Sequence, residues 1–193
     1  MGTGRTIHRM QEQPHSGRSP TRGWRLSPRI QGYDYAQEGA YFITVCTFDR
    51  VCLFGSVREG RSHVNGPGAA VVDCWRAIPI HSPEVQLDEF VVMPNHIHGI
   101  LRIAHDDQPP ASPGGLSIAV IVGEFKAAAT KAIHELDGFR KVRVWQRSYY
   151  DHVLRSDSAL AHIRQYIVDN PLKWHLDEEN PERRRTSRPP ESV

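Results

Sequence analysis

Two apolar segments separated by only two residues constrain the fold of this chain more than any other feature. Val85–Met93 and His96–Ile103 are both rich in β-branched and large apolar residues, and the dipeptide Pro94-Asn95 lies between them. Such a dipeptide favours a turn, and a connection this short can join only antiparallel neighbours. The sequence therefore predicts two adjacent antiparallel strands that begin and end at this turn.

The segments on either side of this strand pair alternate between strand and helix patterns. Tyr41–Thr47 is β-branched and aromatic, which predicts a strand. Residues 69–78 carry apolar side chains at helical spacing and precede Pro79, where we expect the helix to stop. Ser117 is a candidate N-cap for a second helix, whose apolar stripe is Ile118, Ile121, Phe125, Ala128 and Ala132.

The order of elements after this second helix completes a known topology. Val142–Trp145 reads as a short fourth strand, which could resume around Asp151–Leu154. A last helix should start near Ser156 and end at Asn170, because the residue before a proline avoids helical dihedrals. The order β-α-β-β-α-β with one further helix predicts an α+β fold of the ferredoxin-like, split βαβ type.

The two ends of the chain differ from this core. Residues 1–30 carry six arginines against the single acid Glu12, which predicts either a basic arm attracted to phosphates or a disordered solubilising tail. Residues 31–176 form the expected folded domain, and residues 177–193 a charged, flexible tail. The net charge of +2 neither demands nor excludes a polyanionic partner.

The cysteine pattern and the absence of long apolar runs indicate a cellular compartment. Three cysteines cannot form a complete disulfide set, and they include no Cys-x-x-Cys pair, which favours a reducing cytoplasm. No apolar run approaches the ~20 residues of a membrane span, and the N-terminus lacks the apolar stretch of a signal peptide. We therefore expect a cytoplasmic protein with no membrane partner.

A pair of histidines lies at the start of the predicted strand that follows Pro94-Asn95. Strand side chains alternate, so His96 and His98 project from one face about 7 Å apart along the backbone, where both imidazoles could bind one cation. The opposite side chains, beginning with Ile97, should point into a helix-covered core and leave the histidines on the open face. Imidazole suits several divalent metals, and an isolated His-x-His is often incidental.

The predicted last helix carries polar side chains at a matching spacing. His162, Tyr166 and Asn170 recur every four residues beside an apolar stripe formed by Leu160, Ile163 and Ile167. The tyrosine hydroxyl and the carboxamide could therefore face the sheet. The alternative is a tyrosine that packs its ring at the core boundary and an asparagine that ends the helix.

Four segments together resemble a known family. In order, MPNHIHGI, GEFKAAATKAI, VWQRSYYDHVLR and YIVDNP resemble the IS200-like Y1 transposases, and among them most of all the REP-associated tyrosine transposases. The segment GYDYAQEGAYFITVCT, which leads into the first strand, is also similar to the opening of that family. The resemblance runs from about Gly32 to Trp174.

The resemblance implies a site and a reaction. The family's HUH motif falls on His96, Ile97 and His98, its nucleophile on Tyr166 and its third metal ligand on Asn170. It implies Mg²⁺ or Mn²⁺ and cleavage and rejoining of single-stranded, hairpin-containing DNA through a 5′-phosphotyrosine. The insertion-sequence branch usually has Gln at the third position, so Asn170 favours the REP-associated branch and leaves transposition of the protein's own gene open.

Several basic and aromatic residues are candidates for DNA contacts. Lys126, Lys131, Arg147 and Arg155 could bind phosphates, whereas Trp145, Tyr149 and Tyr150 could stack unpaired bases or simply pack in the core. Two other functions stay open: a domesticated protein that binds DNA hairpins without cutting, and a metal hydrolase that uses water as nucleophile. The sequence also leaves open the oligomeric state, for which a homodimer is one possibility. It does not decide whether the tyrosine acts in cis or in trans.

Overall fold

The structure is a computed structural model that describes residues 38–104, 117–177, 179–181 and 183. The basic arm predicted at residues 1–30 and most of the tail predicted at 177–193 lie outside the described residues. In chain order the elements are β1 (Gly39–Cys46), β2 (Gly55–Arg58), β3 (Arg61–Val64), α1 (Gly66–Arg76), α2 (Ile78–His81), β4 (Val85–Met93), β5 (His96–Ile103), α3 (Ile118–His134), β6 (Tyr150–Leu154) and α4 (Asp157–Asp169).

The central sheet has four antiparallel strands in the order β4-β5-β1-β6. The predicted turn joins β4 to β5, with Met93 paired to His96. Strand β1 lies between β5 and β6, so the two outer strands of the ferredoxin-like order are β4 and β6. The prediction of an α+β fold with a central antiparallel sheet and an extra C-terminal helix is confirmed.

The two faces of the sheet are covered by different helices. On one face, the apolar side chains of α1 and α3 form the main core with strand residues that include Ile97 and Leu101. On the other face, Ile163 and Ile167 of α4 pack against Phe42, Ile100 and Leu154. The tyrosine helix α4 therefore packs against the sheet face that carries His96 and His98. No helix in the described part of the chain is long and apolar enough to cross a membrane.

The fourth strand was predicted in the wrong place. Residues 142–145 form no strand, and Trp145 makes only an isolated bridge to Thr47. Its indole ring packs 5.1 Å from Phe54 and 5.8 Å from Phe125, so the apolar character of this segment reflects core packing by a loop. The strand itself is β6, at residues 150–154, where the sequence had suggested a resumption.

The β2–β3 hairpin was not predicted. Its strands have four residues each and are mostly polar, and they turn at Glu59 and Gly60, which both have positive φ. So short a strand shows no apolar alternation, and only Glu-Gly marks the turn.

Two helix predictions need correction. Helix α1 starts earlier than expected, with the Asn65 side chain accepting a hydrogen bond from the Gly68 amide at 3.0 Å, and it ends at Arg76. Pro79 does not stop the helix but lies in the first turn of α2, where its missing N–H costs nothing. In α3 the buried side chains after Phe125 are Ala129 and Ile133, whereas the predicted Ala128 is exposed and Ala132 half-buried, because the buried positions after Phe125 recur at intervals of four residues.

Candidate functional site

The two histidines at the start of β5 are buried and adjacent. Their exposed fractions are 0% for His96 and 2% for His98, and their ring centroids lie 4.5 Å apart. Thr44, which is paired with His98 across β1 and β5, places its hydroxyl 2.8 Å from His98 Nδ1. This contact leaves His98 Nε2 facing α4.

The hydrogen bonds of Asn95 define which His96 nitrogen carries the proton. Its amide nitrogen donates to the carbonyl oxygens of Arg50 at 3.0 Å and Glu179 at 2.7 Å, so its Oδ1 is the atom that lies 2.9 Å from His96 Nδ1. Oδ1 is only an acceptor, and Nδ1 therefore donates to it. In the neutral imidazole, Nε2 then carries the lone pair, which is the form that binds a metal.

The sequence predicts that the histidines lie on an open face of the sheet, and this prediction is wrong. Helix α4 covers this side of the sheet because Ile163 and Ile167 bury their side chains against Phe42 and Ile100. The Trp174 ring, in a short 3-10 turn after α4, lies 6.0 Å from the His96 ring. The histidines therefore form the floor of a covered site.

Tyr166 and Asn170 reach this floor from α4. The phenol oxygen of Tyr166 lies 3.4 Å from His98 Nε2, and its ring meets Phe42 edge-on at 6.0 Å. Asn170 caps the C-terminus of α4, directly before Pro171, and its side chain is buried. The four residues identified from the sequence, His96, His98, Tyr166 and Asn170, thus come together within one chain.

Burial governs the protonation of both imidazoles. It lowers the pKa of His96, although the nearby Asp177 carboxylate and the Asn170 carboxamide act in the opposite direction. The pKa of His98 falls well below its ordinary value because of burial and the neighbouring His96. Both side chains are therefore neutral at neutral pH, as metal ligation requires.

Asp177 is a member of this cluster that the sequence did not identify. Its Oδ2 lies 4.0 Å from His96 Nε2, and one donor atom from each of His96, His98 and Asp177 lies within 4.8 Å of the others. Asp177 falls in the segment that the sequence predicts to be a charged, flexible tail. It is one of five acids between residues 177 and 193, so no pattern in the sequence distinguishes it.

The donor atoms of the cluster fit a divalent cation. Nε2 of His96 and Oδ1 of Asn170 are buried, and neither has a hydrogen-bond partner among the described residues. Leaving two such acceptors unpaired is unfavourable unless a ligand satisfies them. Imidazole nitrogens together with carboxamide and carboxylate oxygens form a donor set that suits several divalent metals.

The predicted DNA contacts have different environments. Lys126 donates to the carbonyl oxygens of Gln146 at 2.8 Å and Arg147 at 3.0 Å, and burial lowers its pKa. Trp145 is buried and donates from Nε1 to the Lys126 carbonyl at 3.1 Å. Lys126 and Trp145 therefore hold the loop before β6 in place. Of the two roles predicted for Trp145, the structure shows packing in the core.

The other predicted contacts lie nearer to solvent. Lys131, Arg147 and Arg155 are exposed, and Tyr150 is half-buried with its ring edge-on to Phe42 at 6.2 Å. Lys131 lines an open groove of about 900 Å³ with Lys141 and Arg143. Because α3 forms one wall of this groove, it belongs to the side of the sheet opposite the histidines.

Fold and site together define a class of protein. An antiparallel α+β sheet that holds His96 and His98 against a tyrosine of the last helix, α4, is the arrangement that the resemblance to the HUH-type transposases predicts. A Haemophilus influenzae strain Rd protein of uncharacterised function is 36% identical to this chain over 167 residues, which are 80% of this chain and 92% of that protein. A second protein of that strain, provisionally named a REP-associated tyrosine transposase, is 24% identical over 144 residues, covering 72% and 74% of the two chains.

The similarity to the second protein supports an IS200-like Y1 transposase family for this chain. Among solved structures, a REP-associated tyrosine transposase bound to a REP hairpin is 23% identical with a TM-score of 0.48, and the match covers 72% of this chain and 70% of that one. No protein-family model matches the chain.

Proposed function

We propose that this protein is a metal-dependent endonuclease and strand transferase for single-stranded DNA, with Tyr166 as its nucleophile. The observation that carries the proposal is the 3.4 Å distance between the Tyr166 phenol oxygen and His98 Nε2 in a cluster of buried metal-type ligands. A phosphate held beside the two imidazoles would lie within reach of that oxygen.

We assign His96, His98 and Asn170 as ligands of Mg²⁺ or Mn²⁺. When bound, such a cation would neutralise charge that develops on the scissile phosphate. The protein's own contribution is to keep both imidazoles neutral and hold the phenol in place. Phe42 supports this geometry because its ring contacts His98 at 5.3 Å and Tyr166 at 6.0 Å.

The reaction conserves the phosphodiester. The Tyr166 hydroxyl loses its proton as its oxygen forms a bond to phosphorus. The bond from phosphorus to the 3′-oxygen breaks, and the upstream part of the DNA strand leaves as a 3′-hydroxyl, which takes up one proton. The downstream part of the same strand stays on the protein as a 5′-phosphotyrosine. Attack by a 3′-hydroxyl reverses the step, so cutting and joining need no external energy source.

The same distance favours a tyrosine that acts in cis. Both atoms belong to one chain, and α4 is attached by its own buried residues, Ile163 and Ile167. A mixture of Tyr166→Phe and His98→Ala chains should therefore recover no cleavage. Recovery of activity in the mixture would indicate that a homodimer exchanges its tyrosine helices.

The substrate assignment rests on the family resemblance, which points to DNA with a hairpin next to single-stranded sequence. Exposed Lys131, Arg147 and Arg155 are the proposed phosphate contacts. Lys126 already binds two carbonyl groups, so its contribution to DNA binding would be indirect.

The test is cleavage of labelled single strands that contain hairpins, with Mn²⁺ and a denaturing gel. We expect a slowly migrating covalent complex that disappears on adding a chelator and in Tyr166→Phe. Tyr149→Phe is the matched control, because Tyr149 packs against the opposite core, and it should retain the complex. Binding without cleavage by the wild type would instead support the domesticated hairpin-binding protein.

A further inference from the structure

We infer that Asp177 supplies a carboxylate ligand to the cation held by His96, His98 and Asn170. This inference rests on the proposed metal site and adds a residue that lies beyond the tyrosine helix and outside the segments that resemble the family.

The donor atoms of Asp177 and His96 lie close enough to share one cation. Asp177 Oδ2 lies 4.0 Å from His96 Nε2, and the Asp177 side chain is only 12% exposed. Two oxygen or nitrogen ligands at about 2.1 Å from one octahedral cation are about 3.0 Å apart when adjacent and about 4.2 Å when opposite. The observed separation lies within this range, so ligation requires a side-chain shift of at most about 1 Å.

Hydrogen-bond acceptors face one another in this cluster, and no donor among the described residues lies between them. His96 Nδ1 donates to Asn95, so Nε2 presents its lone pair toward the Asp177 carboxylate. The buried Oδ1 of Asn170 is a further acceptor without a partner among the residues described. Such a group of lone pairs is repulsive by itself, and a cation resolves the repulsion.

The backbone directs the Asp177 carboxylate toward His96. Its Oδ1 accepts a hydrogen bond from the Glu179 amide at 2.7 Å, which leaves Oδ2 on the His96 side. The Glu179 carbonyl in turn accepts from Asn95 Nδ2 at 2.7 Å. Asn95 therefore fixes both the His96 ring and the segment that carries Asp177, which is how supporting residues orient metal ligands.

A further ion pair anchors this segment to the domain. The Arg50 guanidinium contacts the Glu179 carboxylate, and both side chains are half-buried. Arg50 also offers the carbonyl oxygen that Asn95 binds, so one cluster links the ends of β1 and β4 to the segment after α4. A carboxylate in the donor set favours Mg²⁺ or Mn²⁺, because these cations prefer oxygen ligands.

The test is Mn²⁺ binding to the full chain by isothermal titration calorimetry, with no DNA present. Asp177→Asn keeps the shape and the Oδ1 acceptor but removes the charge, and we expect it to weaken Mn²⁺ binding at least about tenfold. Asp169→Asn is the matched control, because Asp169 pairs with Lys173 on the outer side of α4, and it should bind as the wild type does. Asp177→Glu should recover most of the affinity.

The outcomes separate this inference from the metal site itself. If His96→Ala loses Mn²⁺ while Asp177→Asn binds as tightly as the wild type, Asp177 is not a ligand and the proposed site stands. Tighter binding by Asp177→Asn would also overturn the inference, because the carboxylate would then obstruct the site. If the wild type itself binds no Mn²⁺, both the inference and the proposed metal site fail. Thermal melting of each variant establishes that it is folded.

Discussion

The position of the Tyr166 phenol depends on how α4 packs, and Ile167 tests this dependence. Ile167 is 1% exposed and contacts the cluster formed by Phe42, Ile100, Leu154 and Ile163. Ile167→Ala removes three carbon atoms, which at about 0.8 kcal/mol per buried methylene is about 2.4 kcal/mol. The remaining cavity adds to this, so we expect a total loss of about 3–4 kcal/mol in the free energy of unfolding.

Chemical denaturation and thermal melting measure this loss directly. For a chain of this length, 1 kcal/mol corresponds to roughly 2–4 °C, so the melting temperature should fall by roughly 6–16 °C. The control is Val168→Ala on the same helix. Val168 is 55% exposed, and its truncation should change stability by less than about 0.5 kcal/mol.

Cleavage rates give the second readout of the same pair of variants. At a temperature where both are fully folded, Ile167→Ala should form the covalent DNA complex more slowly than Val168→Ala, because α4 no longer holds the phenol against His98. Equal stability of the two variants would refute the packing argument. A destabilised Ile167→Ala variant with an unchanged cleavage rate would refute the link between packing and phenol position.

Two other residue pairs give independent predictions. A Cβ added at Gly99 would clash with the buried Trp75 ring, so Gly99→Ala should lower the free energy of unfolding by about 1–3 kcal/mol in urea denaturation. Trp75→Phe should reduce that cost, and additive losses in the double variant would contradict the clash. Asp88 accepts hydrogen bonds from Arg164 of α4 at 2.7 and 2.5 Å, which holds its pKa below the usual value. The ion pair therefore stabilises the fold above about pH 4, and the stability advantage over Asp88→Asn should fall as the pH drops further; an advantage independent of pH would contradict this.

The regular parts of the fold could be predicted because each is long enough to show its period. The bounds of β4 and β5 agree with the sequence patterns, and α4 reaches Asn170 before Pro171 as expected. Strand alternation predicts that His96 and His98 share one face of the sheet. The four-residue spacing predicts that Tyr166 and Asn170 share one face of the last helix.

The parts that could not be predicted depend on tertiary contacts. The β2–β3 hairpin is too short to show a pattern, and Trp145 resembles a strand residue because its ring fills the core. The covering of the histidines follows from where α4 packs, which no local pattern specifies. Asp177 reaches His96 only because Asn95 and Arg50 bind the segment that follows it.

The most direct test of the central claim is to identify the amino acid that carries the DNA. After reaction with a hairpin single strand, nuclease trimming and trypsin digestion, mass spectrometry should find a 5′-phosphonucleotide on the peptide of residues 165–173, at Tyr166. A nucleotide on the peptide that carries Tyr149 and Tyr150, or cleavage with no nucleotide on any peptide, would contradict the account.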